Sequence, residues 1–432
     1  MRKYFTAIAI FALVFFGLSS LSHGAGFLIY EHGAAAMAMG GAFVALANNP
    51  TAVFHNPAGI AFLEGTQISL GTTLITSNSS LGLTNLATTV ETKKQWFYPS
   101  TFYITHKINE RIVAGFGFFN PYGLGTKWDE DYPQNTNFPL RFISTNDDMK
   151  TFFFNPVIAV KLDESFSVAV GVTYIYSTLE VDRVNIIDLT LYGAERYEAP
   201  INMKGNGDAF GLNAGALYRG KNFSLGFNWR GGFDIEFEGD LLLDNSNIPA
   251  MFQPNVPTEA DVATTLSTPH ILGFGAAFNL TPSLIVTADF HYILWSAFEQ
   301  FVIKIDNPDP IPDETETFDE NWEDSYLIRA GLQYMVNENF ALRAGFLYDK
   351  TPQPVESMDT LLPDANRIAF TGGFGYKSGN FVINVAYQYE PFKDRESANR
   401  SVLLHPVTGA NLGLGTYSTT AHLIGVSIGF IF

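Results

Sequence analysis

FSVAVGVTYIYS, the run from Phe166 to Ser177, sorts its side chains into two sets. Successive side chains of a strand point to opposite sides, so Phe166, Val168, Val170, Val172, Tyr174 and Tyr176 share one face. Ser167, Ala169, Gly171, Thr173, Ile175 and Ser177 share the other. One face is greasy and the other is small. Phe340, Leu342, Ala344, Phe346 and Tyr348 oppose Ala341, Arg343, Gly345, Leu347 and Asp349 in the same way, and Phe381, Ile383, Val385, Tyr387 and Tyr389 oppose Val382, Asn384, Ala386, Gln388 and Glu390. Soluble strands peak near about 5 to 6 residues, whereas these runs often last about 12 or more, the reach of a tilted strand that crosses a bilayer and extends past it. Apolar faces ending in Tyr, as in Tyr174 with Tyr176, fit the aromatic girdles of a membrane interface.

The start of the chain fixes the compartment. Arg2 and Lys3 precede an apolar run from Tyr4 to Leu18, followed by the small residues Ser22 and Gly24, which is the layout of a secretory signal peptide. The run is shorter than the roughly 20 residues of a spanning helix. Cleavage after Gly24 would leave a mature chain beginning Ala25-Gly26-Phe27. No other segment offers 18 consecutive apolar residues, so a mature chain in a membrane must span it as a closed barrel. Aromatic residues at 15%, charged residues at 16% and abundant Gly agree with alternating lipid-facing and lumen-facing positions. The formal charge of -18 becomes -20 once Arg2 and Lys3 leave, a surface that repels nucleic acid. With no Cys there is no disulfide framework and no thiolate metal site.

The expected fold class is all-β: a transmembrane antiparallel β-barrel of about 14 strands. The runs fall near 66–77, 94–108, 111–126, 148–162, 165–180, 206–219, 221–236, 266–280, 283–297, 322–337, 339–351, 366–378, 380–394 and 417–432. Tight turns at Asn109-Glu110, Asp163-Glu164, Gly220, Thr281-Pro282, Asn337-Glu338 and Ser378-Gly379 alternate with long connections, which places the short turns in the periplasm and the long loops outside. The last run carries Ile424, Val426, Ile428, Phe430 and Phe432 on one face, and the terminal Phe resembles the signal read by the barrel-assembly machinery. Residues 25–65 are rich in Ala and Gly and show no alternation. Eight strands leave a lumen that side chains fill and sixteen leave a water channel, so about fourteen leave a hole that needs a plug. The expected organisation is a signal peptide over 1–24, a hatch over 25–65 and a barrel over 66–432.

Several stretches together resemble the FadL-type outer-membrane transporters of long-chain fatty acids and aromatic hydrocarbons. They are Ala25-Gly26-Phe27, Gly40-Gly41-Ala42, Asn56-Pro57-Ala58-Gly59, Phe119-Asn120-Pro121-Tyr122-Gly123-Leu124, Trp295-Ser296 with Phe298, Tyr326 with Arg329 and Gly331, Pro352 with Pro354, and Leu362-Pro363-Asp364-Ala365-Asn366-Arg367. The resemblance covers essentially the whole mature chain, whereas 237–265 and 395–416 match none of the family's motifs. It implies a cell outer-membrane channel for passive uptake of hydrophobic compounds, as a monomer among outer-membrane lipid and lipopolysaccharide, with no cofactor. It also implies a ligand contact or gate at Phe27, with Asn56, Pro57 and Ala58 in the hatch. Pro121 lacks an N–H and Gly123 a side chain, so the third strand should break over Phe119, Asn120, Pro121, Tyr122 and Gly123. In the family such a break is a lateral opening. Arg141 and Arg367 stand near outer strand ends, where they could meet a carboxylate head group.

Other signals are weaker. Gly425-Val426-Ser427-Ile428-Gly429 has the spacing of a nucleophile elbow but lies inside a strand and not at a strand-to-helix turn, so no catalytic residue is expected. Asp289 and His291 share a lumenal face and read as part of a polar network. Asp306 to Asp324 carries nine acids and no Lys or Arg; its spacing is not that of an EF-hand, and it reads as a solvated outer loop with no metal site expected. The rival functions are a general or substrate-selective porin, an outer-membrane lipid hydrolase and an adhesin.

Overall fold

The computed structural model describes residues 26–84, 88–128, 139–308, 312–398, 407, 409 and 412–432, so the leader expected over 1–24 lies outside the described residues. Fourteen antiparallel strands follow each other around a closed wall. They are β1 (Thr66–Leu83), β2 (Ser100–Lys107), β3 (Ile112–Phe119 and Gly123–Lys127), β4 (Asn146–Lys161), β5 (Phe166–Asp188), β6 (Arg196–Arg219) and β7 (Phe223–Arg230 and Asp234–Leu243). Then come β8 (Glu259–Ser267 and Ile271–Thr281), β9 (Leu284–Ile293 and Gln300–Asp306), β10 (Glu314–Asp319 and Ser325–Met335), β11 (Phe340–Asp349), β12 (Arg367–Ser378), β13 (Phe381–Pro391) and β14 (Gly415–Ile431). β1 pairs with β2 on one side and with β14 on the other, in continuous register from Gln67 opposite Ile431 to Leu83 opposite Gly415. The last residue completes the seam: the Phe432 N–H donates to the Thr66 carbonyl at 2.8 Å. Closure removes the exposed edges that an open sheet would present.

The short turns are held by their own side chains. Asn109, Asp163 and Asn337 each accept backbone N–H groups two and three residues on, the Asx geometry that makes a tight reversal between strands.

Burial along the wall is the reverse of a soluble sheet. In β5 the greasy residues Val170 and Val172 are 66% and 50% exposed, while Ser167, Thr173 and Ser177 are buried. Each large apolar side chain left in water forgoes roughly 1.5 to 3 kcal/mol of burial. A ring of them is stable only against lipid.

Residues 26–65 lie within the ring of strands. Two one-turn helices, α1 (Ala34–Met37) and α2 (Ala52–His55), and a 3-10 turn over Pro57–Phe62 are too short to persist alone. The wall holds them, and the small lumenal residues explain how closely. A Cβ on Gly345 of β11 would come 2.1 Å from the Gly40 nitrogen, and one on Gly226 of β7 would come 2.4 Å from the Val44 carbonyl oxygen. Side chains on these strands shrink to nothing where the segment's backbone runs against them. Polar anchors fix the register: Val44 N–H donates to Asp289 Oδ2 at 2.8 Å, Gly40 N–H to Thr371 Oγ1 at 2.9 Å, and Arg329 Nη1 to the Gly41 carbonyl at 3.1 Å. Asp289 thus serves the lumenal network by accepting from the interior segment.

Two stretches read as loops contain strand. Asp234–Leu243 pairs with Glu259–Ser267, and Gln300–Asp306 pairs with Glu314–Asp319, so the wall continues past the greasy belt. The acidic 306–324 stretch is only partly solvated, because Glu320 and Trp322 are buried.

Candidate functional site: a broken strand and an aromatic cavity

The third strand is interrupted where its Pro and Gly fall. Its first half stays in register with β4 up to Phe119 opposite Phe153, and its second half resumes with Gly123 opposite Lys150. Three residues, Asn120, Pro121 and Tyr122, therefore face two on β4. Thr151 repairs that side with its side chain, donating from Oγ1 to the Tyr122 carbonyl at 2.7 Å and accepting from the Tyr122 N–H at 3.2 Å. Asn120 donates to the Thr151 carbonyl at 2.5 Å.

On the other side the partner is the interior segment. β2 pairs with β3 only from Phe102 opposite Phe118 to Lys107 opposite Val113. Beyond that, Ile29 N–H donates to the Pro121 carbonyl at 2.8 Å and Gly123 N–H to the Phe27 carbonyl at 2.9 Å, with Leu28 bridging Tyr122. Phe27 to Ile29 thus complete the ladder where the wall is broken.

Phe27 brings an aromatic cluster with it. Its ring centroid lies 4.8 Å from Trp295, 5.8 Å from Phe298 and from Trp322, and 5.9 Å from Tyr122. The preceding peptide is tethered by an outer connection: Gly26 N–H donates to Asp364 Oδ2 at 3.0 Å. Thr351 also donates to that oxygen. Burial pushes the Asp364 carboxyl up to about 6. Beside Phe27 is a cavity of about 100 Å³ whose apolar wall includes Leu124, Met149, Leu179, Leu266, Phe301 and Leu362.

The remaining singled-out residues are placed as follows. Asn56 is fully buried, donates to the Val44 carbonyl at 2.8 Å and to the Ala216 carbonyl at 3.1 Å, and accepts from Ala58 N–H. Pro57 and Ala58 pack on β6, where a Cβ on Gly215 would meet the Pro57 ring at 3.0 Å. The Ala58 carbonyl accepts from Ser167 Oγ at 2.8 Å. These three residues fix the end of the interior segment to the wall and line no part of the aromatic cavity. Arg141 forks onto Glu198 of the extended β6. Arg367 is buried, 2.8 Å from Asp349 and 3.9 Å from Glu390. Ser427 lies inside β14, opposite Gly71 of β1 and Asn384 of β13. Sequence reasoning gave neither Trp322 nor Asp364 a role: Trp322 sits in an acidic stretch and Asp364 stood only within the Leu362-to-Arg367 stretch of the resemblance, and only the closed ring brings either to Phe27.

Together these features define a class of protein, an outer-membrane barrel with an interior segment set into a break in its own wall. The chain belongs to the family described as outer membrane protein transport protein (OMPP1/FadL/TodX), which matches residues 16–432. It is 24% identical over 376 residues to a long-chain fatty acid transport protein of Salmonella typhi, covering 80% of this chain and 82% of that one. It is also 24% identical to a 47 kDa outer membrane protein of Pasteurella multocida, covering 85% and 87%. The fold is similar to that of a Pseudomonas aeruginosa FadL homologue, with a TM-score of 0.78 at 18% identity over 94% of this chain and 100% of that one. A Pseudomonas putida toluene transporter gives 0.70 at 14% identity over 89% and 94%.

Proposed function

We propose that the protein is a passive uptake channel for hydrophobic small molecules, fatty acids or aromatic hydrocarbons, that enter from outside and leave sideways into the bilayer through the break in β3. The observation that carries this reading is the Phe27–Ile29 segment, which completes the ladder at 121–123 and whose Phe27 ring also walls the apolar cavity. A ligand that displaces Phe27 from its aromatic neighbours loosens the piece of backbone that occupies the break.

The energetics require no chemistry. Burying about 0.8 kcal/mol per CH₂ draws an apolar molecule from water into the cavity, and exit into lipid keeps that gain. A step into the periplasm would forfeit it. Residues 26–65 act as the hatch: anchored at Asn56, Val44 and Gly40, they keep the lumen closed to ions while their first residues, held through Gly26, the packing of Phe27 and the 121–123 ladder, shift when a ligand displaces Phe27. On the same reading the outer extensions meet lipopolysaccharide, Phe432 is the mark read by the assembly machinery, and the protein works as a monomer without catalysis, cofactor or metal.

The test is Gly123→Val. A β-branched residue favours continuous strand at the break. Uptake of a labelled hydrophobic compound by cells carrying this variant should fall to background while the barrel keeps its heat-resistant mobility in detergent gels. Normal uptake by a correctly assembled variant would contradict the lateral route.

A further inference from the structure

A second cavity, of about 20 Å³, is bounded by Leu28, Tyr30, Pro121, Arg230, His291 and Arg329. That is room for one water-sized particle. Arg230 from β7 and Arg329 from β10 are 7% and 2% exposed. None of the described residues lining the chamber is Asp or Glu. Among the described residues neither guanidinium takes part in an ion pair.

Asp289 stands across from Arg329 in the pairing of β9 with β10, with Oδ2 accepting from Val44 N–H and Oδ1 buried without a hydrogen-bond partner. The two arginines donate instead to neutral carbonyls, Arg230 to Phe54 at 3.3 Å and Arg329 to Gly41 at 3.1 Å. Arg329 lies 4.4 Å from the Tyr30 ring, and Arg230 lies 5.2 Å from Phe54 and 5.3 Å from Phe119. These rings supply packing but no countercharge. Of the polar atoms on the lining residues, Tyr30 Oη, Asn228 Oδ1, His291 Nδ1 and Arg329 Nε are buried without a hydrogen-bond partner. Arg329 has the Asp289 carboxylate opposite it and Asp349 within electrostatic reach, but the groups acting on Arg230 are the hydroxyls of Tyr30, Tyr103 and Tyr122, and a buried cation without a countercharge is among the costliest arrangements a protein interior can hold.

We infer that this chamber binds one monovalent anionic group, either a halide ion from solution or the carboxylate of an acid drawn through the barrel. The carboxylate source rests on the proposed uptake of acids and the halide source does not, and Pro121 in the lining places the chamber against the break in β3. Asn228 also lines the chamber, with its Oδ1 buried and unpartnered. A carboxylate built at that position would supply the missing charge from within.

The experiment uses crystals of the mature protein grown with bromide as the sole halide, and diffraction data at the bromine edge. An anomalous peak between Arg230 and Arg329 is expected. Adding octanoate separates the two sources: replacement of the peak by carboxylate density identifies a fatty-acid head group, and persistence of the peak identifies the halide. Asn228→Asp should lose the peak entirely while remaining folded, as should Arg230→Met where that variant folds. In detergent, replacing gluconate by bromide at constant ionic strength should raise the Tm of the natural protein and leave that of Asn228→Asp unmoved. Absence of both bromide and carboxylate density, or an identical Tm response in the natural protein and Asn228→Asp, would overturn the inference.

Discussion

At the scale of single residues, Phe27 and Asp364 control how the interior segment begins. Phe27 touches four aromatic rings, and aromatic contacts contribute roughly 0.5 to 1.5 kcal/mol each beyond burial. Phe27→Ala removes one wall of the cavity and should weaken binding of a hydrophobic fluorescent ligand by up to about tenfold. Titration of purified protein measures this, and an unchanged Kd would show that the ligand rests elsewhere. Asp364 makes a prediction in pH. Its folded pKa of about 6 lies above the ordinary value of an unfolded Asp, so the folded state holds the proton more tightly. The resulting stabilisation is fully present below about pH 4 and is lost as the pH rises through about 6, a change on the order of 3 kcal/mol. Asp364→Asn cannot ionise. Its Tm relative to the natural protein should therefore rise between pH 4 and pH 7, and a flat difference would contradict the burial of an ionisable carboxyl.

At the scale of elements, the glycines of the wall and the break in β3 are two answers to one requirement, a backbone brought against another backbone. Gly345 stands where a Cβ would collide with Gly40 and Met39 backbone atoms. Gly345→Val should push the interior segment off the wall without harming a strand that β-branched residues favour. Ion conductance in planar bilayers should rise from near zero to a measurable channel, and a variant that assembles yet stays closed would show that the segment has other sufficient anchors. The break itself was legible in the sequence, because Pro121 and Gly123 have no place in a central ladder. What fills it was not, since the pairing of Leu28 with Tyr122 joins residues far apart in sequence and leaves no local pattern. The outer extensions escaped for a related reason. Asp234–Leu243 and Glu259–Ser267 stand beyond the greasy belt, where neither face meets lipid, so the contrast that marks β5 fades although the hydrogen-bond ladder continues.

At the scale of the whole molecule, the fourteen strands and their order could be read from alternation alone, because lipid and a packed interior make opposite demands on neighbouring residues. Convergence could not be read in this way. Arg230, Arg329 and Tyr30 come from β7, β10 and the interior segment and meet only when the ring closes. The central claim is that a hydrophobic molecule passes where the interior segment completes the wall, and the chain's lack of Cys allows a reversible test. Leu28 and Tyr122 are bridge partners, a spacing that suits a disulfide, so Leu28→Cys with Tyr122→Cys can lock the segment to β3. Uptake of a labelled hydrophobic compound is then measured in the same cells before and after reduction. The expected result is uptake near background while the pair is oxidised and recovery on reduction. Equal uptake in the oxidised and reduced states would contradict the claim.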